Sequence, residues 1–316
     1  KVIIDEKIIA VVTIKKREGI VHRTSDGRYY IRVGSTVRDA TPEELSRMFQ
    51  QAEMIHHDVA PVYNTFIDDI DNKRVKYYLS NVLYNNIDNY KDVRENILEN
   101  IKAITRVDNT KYLTVDGLLV FCENPQKYLP KTCITAVKFR GKDMDYNMID
   151  KKEITGSLMN QYSEKGEVLS YGMIEQAIKY VMTFTSNSST MDGVRRVETA
   201  QYPIESIREV IVNAAAHRDY TISGSEIRLF IFSDRIEIHS PGKLPNTIKI
   251  ENLKRTAHYT RNPELYKFLA QYGYADEVGL GIPEKIIKKM IVYTGKEPQF
   301  EESGESFIVT LFGKEE

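Results

Sequence analysis

Arg208-Glu209-Val210-Ile211-Val212-Asn213-Ala214-Ala215-Ala216-His217-Arg218-Asp219-Tyr220 is the stretch on which the reading of this chain turns. It sits in a helix that starts after Pro203, with Ile207, Val210, Ile211, Ala214 and Ala215 on one side and Glu205, Glu209 and Asn213 recurring every four residues on another. A carboxylate able to orient or deprotonate water thus lies one turn from an amide oxygen able to ligate Mg²⁺. Taken alone, the same spacing also describes a solvated helix face.

Working outward from that helix, the pattern predicts a strand over 225–232, a turn at Ser233-Asp234, a strand over 235–239 and the loop Ser240-Pro241-Gly242-Lys243-Leu244-Pro245. A helix from Pro263 to Gln271 follows, then Glu277-Val278-Gly279-Leu280-Gly281-Ile282, a helix over 283–290 and two closing strands. This order gives antiparallel hairpins with helices on them, an α/β sandwich rather than a series of βαβ units. Glycines at 242, 279 and 281 let main chain approach a ligand, and amides at the helix start after Gly281 favour phosphate. Each of these turns alone is equally well read as a C-cap or a tight turn.

With 316 residues the chain is long enough for two or three units. Residues 1–55 read as a fragment with a β-hairpin around Ser25-Asp26-Gly27, then a helix opened by Thr41-Pro42-Glu43-Glu44 and running to about Ile55. Residues 56–194 read as a helical module with two amphipathic helices between Phe66 and Thr105, a short one over Thr114 to Phe121, and a strand over Cys133 to Phe139, in a winged-helix-like order. The polar run Ser186-Asn187-Ser188-Ser189 reads as a loop before the last unit, 195–316. The expected fold class is therefore α+β.

At 41% hydrophobic and 10% aromatic residues, the composition excludes a disordered chain. Basic and acidic residues nearly cancel, 44 against 45, yet residues 1–38 carry a net +5. That segment is either a solvated face or a nucleic-acid contact. Two cysteines, Cys122 and Cys133, cannot build a disulfide framework and fit a reducing compartment, and no apolar run is long enough to cross a bilayer. A cytoplasmic location and no membrane partner are expected. The chain begins on Lys1 rather than Met, so further polypeptide is expected upstream.

The order of these motifs resembles the GHKL, or Bergerat-type, ATP-binding fold, and more closely the RecG-like C-terminal ATPase domain of prokaryotic transcriptional regulators. The likeness rests on Arg208-Glu209 through Tyr220, Asp234-Arg235-Ile236-Glu237-Ile238, Pro241-Gly242 and Gly279-Leu280-Gly281-Ile282-Pro283, over about 200–312. Gly27 to Arg38 followed by Thr41-Pro42-Glu43-Glu44 resembles the tail of a Schlafen AlbA-type domain. Gly117 to Phe121, Asn124-Pro125 and Leu129-Pro130 also fit the family.

The resemblance implies ATP and Mg²⁺ as ligands, Glu209 as the residue that activates water, and Asn213 as the Mg²⁺ ligand. It implies Ser240 and Gly242 in the first glycine box, Gly279 and Gly281 in the second, and Thr310 on the strand near the base. Ser240 stands where the family has Asp, and Leu244 where it has a second glycine. Ser240 keeps a neutral acceptor for an amino group. Thr310 is equally at home as an ordinary residue of a half-buried strand.

Arg255 and Arg261 fall in the lid, either reaching phosphates or solvated there. His217-Arg218-Asp219 reads as capping and packing at a helix end rather than as a triad, and His56-His57 lacks partners at zinc spacing. The resemblance further implies nucleic acid, DNA, as partner of the N-terminal part, and a homodimer is a further expectation. A P-loop helicase is excluded, because no Gly-x-x-x-x-Gly-Lys-Ser/Thr run occurs. The alternative function is a non-catalytic DNA-binding regulator whose degenerate scaffold serves dimerisation or another ligand.

Overall fold

In the computed structural model the described residues are 2–4, 7–9, 21–51, 56–83, 90–185, 188–192, 195–244, 248, 250–254, 260–276 and 279–314. They separate into two units, Lys1–Ile55 and His56–Glu316.

In the first unit, β1 (Val2–Ile4) pairs antiparallel with β2 (Lys7–Ile9), and β3 (Tyr30–Val33) with β4 (Thr36–Asp39). The residues just before Val21, on which the first strand of the hairpin expected around Ser25-Asp26-Gly27 would fall, lie outside the described residues. Gly27 closes a tight turn with its N–H on the Thr24 carbonyl, and β3 pairs forward with β4 across Gly34, whose φ of 60° a two-residue hairpin turn requires. Helix α1 (Pro42–Gln51) starts on a reciprocal capping box. The Thr41 N–H donates to Glu44 Oε2 at 2.9 Å and the Glu44 N–H to Thr41 Oγ1 at 3.3 Å. Its expected end near Ile55 lies outside the described residues.

The second unit begins with β5 (Pro61–Val62), α2 (Asn72–Tyr77), α3 (Tyr90–Asn100), β6 (Ile104–Val107), β7 (Thr110–Thr114) and α4 (Val115–Phe121). These are the expected middle helices, with a three-stranded sheet of order β5-β7-β6 between them. Thr114 Oγ1 accepts the Gly117 N–H at 2.9 Å and so caps α4. Every residue of α4 is buried. Gly117 lies so near the Ala103 carbonyl that a Cβ there would fall 1.9 Å from the oxygen, so only glycine permits this contact.

The chain continues through β8 (Ile134–Lys138), β9 (Asp150–Ile154), β10 (Gln161–Tyr162), β11 (Val168–Ser170) and α5 (Met173–Phe184). Next come β12 (Ser188–Asp192), β13 (Arg195–Thr199), α6 (Ile204–Ala216), β14 (Ile227–Ile231), β15 (Arg235–Pro241) and α7 (Pro263–Gln271). A π-helical segment, Gly281–Lys288, then runs straight into α8 (Lys289–Thr294), before β16 (Gln299–Ser303) and β17 (Ser306–Phe312). Ser188 and Ser189, expected in a loop, belong to β12, which pairs antiparallel with β13.

One six-stranded sheet organises this unit, in the order β16-β17-β15-β14-β8-β9, with every pair antiparallel except β8 with β14. Strand β8 is thus shared with the C-terminal part rather than closing the helical module, and residue 194 falls inside a unit whose sheet takes strands from both sides of it. Ile227, Leu229 and Ile231 of β14, Ile236 and Ile238 of β15, and Val309 and Leu311 of β17 join the apolar side of α6 in the main core. Val137, Phe139, Phe230 and Phe232 form a separate cluster on the other face. Alternation along each strand produces this division, and the result is an α+β sandwich with its principal helices on one face.

Several polar groups among the described residues are buried at a cost, Asp116 the clearest of them. Asp116, in the first turn of α4, is fully buried with neither carboxylate oxygen hydrogen-bonded. Burial first, and then the nearby Asp58 and Glu264 carboxylates, push its pKa well above the ordinary range. Stability conferred by the bound proton is complete at low pH and is lost as pH rises from the unfolded value toward the folded one, at about 1.4 kcal/mol per unit of displacement. Asp116→Asn is therefore expected to raise the melting temperature at neutral pH, with the gain vanishing below about pH 4. A drop in stability at neutral pH that fades as the pH falls would show instead that the carboxylate is paired and charged.

Candidate functional site

The side of α6 that carries Glu209 does not face solvent. Glu209 is only 7% exposed, which removes the solvated-face reading, while Asn213 one turn later reaches the mouth of a cleft. The cleft runs between α6, the ends of β15 and β17, and the π-helical segment, with a volume of about 120 Å³. That is the order of the ~150 Å³ apolar cavity known to take up benzene, so the cleft has room for a ring of that size. Val210, Ala214, Ile238, Ile286, Phe307 and Val309 make its apolar walls. Asn213, His217, Ser240 and Arg261 supply polar points, and Gly242 and Gly279 supply bare main chain.

At the base of the cleft the Ser240 hydroxyl donates to the Ala214 carbonyl of α6 at 2.8 Å. Its single proton is spent there, so the oxygen faces a ligand only as an acceptor. Gly242, with φ of 110°, is held in the left-handed region by what lies above it. A Cβ would fall 2.0 Å from Arg261 Nη1 and 2.6 Å from Asp219 Cβ. Arg261 is buried in the cleft wall beside Asp219, Nη1 to Oδ2 3.8 Å, and its Nη2 donates to the Lys243 carbonyl. It is therefore engaged in holding the first glycine turn rather than solvated in a lid. Arg255, its expected companion, lies outside the described residues.

Behind the cleft lining, Asn213 Nδ2 donates to Glu209 Oε1 at 3.1 Å, which leaves Asn213 Oδ1 as the amide's acceptor. Glu209 Oε2 lies 3.5 Å from Lys285 Nζ, and the same ammonium is 3.8 Å from Asp276 Oδ2. Burial raises the Glu209 pKa, while Lys285 and the Asn213 amide act in the opposite sense. Gly281 lies directly against this carboxylate: a Cβ there would fall 1.9 Å from Glu209 Oε1. Gly279, with φ of 72°, lines the cleft next to it.

The structure therefore gathers Asn213, Ser240, Gly242 and Gly279 around one cleft and sets Glu209 and Gly281 immediately behind Asn213. Thr310 is not brought in. It pairs with Glu237 and Gln299 and lies on the sheet face opposite Phe307 and Val309, the β17 residues that line the cleft.

Three contributors escaped the sequence reading. Lys285 is one turn into the helix opened by Gly281 and reaches back to Glu209. Asp219 pairs with Arg261. His217 lines the cleft, and burial, with Arg261 beside it adding to the effect, pushes its imidazole down to about 4, so the ring is neutral at neutral pH. Its position four residues after Asn213 on the same helix was the available signal.

No group of three or more His, Cys, Asp or Glu side chains among the described residues is arranged to hold a metal. One amide oxygen beside one carboxylate nevertheless fits Mg²⁺, which retains waters and takes one or two protein ligands together with substrate phosphates.

The fold and the cleft define an α+β sandwich with a glycine-walled pocket at one end of its sheet. Residues 224–311 match the family described as "Putative ATP-dependent DNA helicase recG C-terminal", a stretch that begins after Glu209 and Asn213 and includes both glycine turns. No curated protein matches the chain. Among solved structures, the DIP2311 protein from Corynebacterium diphtheriae is similar in fold, with a TM-score of 0.57 and 21% identity over 92% of this chain. The chain spans about half of that protein, 54% of its length. No helix among the described residues is long and apolar enough to cross a membrane.

Proposed function

We propose that the cleft binds a magnesium–adenine nucleotide and that Glu209 promotes its slow hydrolysis. The observation that carries this reading is the placement of Asn213, Ser240, Gly242 and Gly279 around one ring-sized cleft, with the Glu209 carboxylate hydrogen-bonded to Asn213 directly behind it. The family match over 224–311 supports it.

Ser240, its proton committed to Ala214, accepts the base's amino group, and the apolar walls exclude water from the ring. Asn213 Oδ1 is the protein ligand for Mg²⁺, which when bound neutralises phosphate charge and polarises the transferred phosphoryl group. Gly279 and Gly281 allow main-chain amides to approach the phosphates. Glu209 takes a proton from the attacking water. Thr310 is left out of this assignment because of the sheet face it occupies.

A melting curve with and without Mg-ATP tests the reading. At a hundredfold excess over the dissociation constant a specific ligand stabilises by about 2.7 kcal/mol, and an unmoved transition at millimolar nucleotide would favour a scaffold without a ligand.

Nucleic-acid contact through the basic N-terminal segment, in a homodimeric DNA-associated regulator, belongs to the same proposal and is supported by the net +5 of residues 1–38. Affinity for duplex DNA should then fall steeply as salt rises, and binding indifferent to salt would remove the phosphate contacts.

A further inference from the structure

Glu209 has two carboxylate oxygens in a nearly closed environment, and the structure gives them different tasks. Oε1 accepts from Asn213 and lies against Gly281; Oε2 meets only the ammonium of Lys285 among the described side chains. That ammonium comes from a different element, the π-helical segment that Gly281 opens, and is held from its other side by Asp276 in the turn before that segment.

The neighbouring charges on α6 are committed elsewhere, Glu205 to Lys289 and Arg208 to Glu175 of α5 at 2.9 Å. Tyr266 of α7 spends its hydroxyl on the Asp276 carbonyl. A carboxylate this buried, if it lost that cation, would rotate toward solvent or toward another donor.

We propose that Lys285 is the positioning residue of the hydrolytic carboxylate: by pinning Oε2 from the second glycine helix, it holds Glu209 beside Asn213, which lines the cleft. The inference rests on the hydrolytic reading given above. Lys285 itself touches neither base nor phosphate in this account. Binding of Mg-ATP therefore depends on it little, whereas turnover depends on it strongly, since small displacements of a reacting group cost rate out of proportion to their size. The contact also ties α6 to the second glycine box, so the water-activating group is set only when that helix is seated on α6.

The test combines calorimetry with phosphate release on the full chain for Lys285→Met, Lys285→Arg and Glu209→Gln. Lys285→Met should lower kcat roughly ten- to a hundredfold while the Kd for Mg-ATP changes by less than about threefold, and Lys285→Arg should restore most of the rate. In the absence of nucleotide, a double-mutant cycle of Glu209→Gln with Lys285→Met on the melting transition should show coupling between the two side chains. A Lys285→Met rate equal to wild type, an affinity loss that matches the rate loss, an Arg variant no better than Met, or additivity in the cycle would each overturn the proposal. If Glu209→Gln itself turns over like wild type, the hydrolytic reading fails and takes this inference with it; if Glu209 matters and Lys285 does not, only the inference fails.

Discussion

Asn213→Ala is expected to weaken Mg-ATP binding by about a hundredfold or more, while leaving the much weaker binding of metal-free nucleotide nearly unchanged. The asymmetry follows from how the amide is used. Its nitrogen is committed to Glu209 Oε1 at 3.1 Å, so its oxygen is the group at the mouth of the cleft that can reach a cation. Alanine removes that oxygen and leaves the apolar walls and Ser240 untouched, so whatever affinity comes from burying the base survives. Calorimetric titrations in Mg²⁺ and in EDTA separate the two contributions. Equal affinities of wild type and variant in Mg²⁺ would take Asn213 out of the site.

Glu209→Gln should do the reverse, keeping Mg-nucleotide affinity within a few-fold and lowering single-turnover phosphate release by about 10²–10⁴-fold. Glutamine has the same length and still offers Oε1 to Asn213, and it fits beside Gly281 as glutamate does. What it lacks is basicity. The wild-type carboxylate is buried, and burial raises its pKa, which makes it a stronger base, while Lys285 limits that rise. Retained turnover in the glutamine variant would mean that the water is activated by something else or that ATP is merely bound.

Much of this arrangement was legible before any coordinates, for reasons tied to particular residues. The four-residue spacing of Glu209 and Asn213 survives because α6 is one uninterrupted helix, and the strands after it alternate strictly enough to set Ile236 and Ile238 inward. The helix start at Thr41 was readable because an N-cap is a local contact, and the structure adds the return bond from Glu44.

Features that depend on distant pairing were not. Nothing around Cys133–Phe139 says that β8 will run parallel to β14, some ninety residues later, because parallel pairing is decided by the sheet as a whole. The pairing of Tyr30–Val33 with Thr36–Asp39 across Gly34-Ser35 was also missed, since Asp26-Gly27 and Gly34-Ser35 both carry turn chemistry and the strands around them alternate alike.

In the site, the resemblance located the glycine turns, but it did not tell which face of β17 would meet the cleft. A shift of one residue moves a side chain to the other face, and Val309 rather than Thr310 points inward. Lys285 and the Asp219–Arg261 pair were hidden because each joins residues far apart in the chain, with other strands and helices between them, so neither has a local sequence signature.

All of this rests on one placement, a nucleotide whose base lies against Ser240 and whose phosphates extend past Asn213. A crystal structure of the chain with Mg²⁺ and a non-hydrolysable ATP analogue measures it directly. The account expects the base's amino group within hydrogen-bond distance of Ser240 Oγ and Mg²⁺ on Asn213 Oδ1. A cleft left empty at millimolar analogue, or an analogue bound anywhere else on the chain, would contradict it.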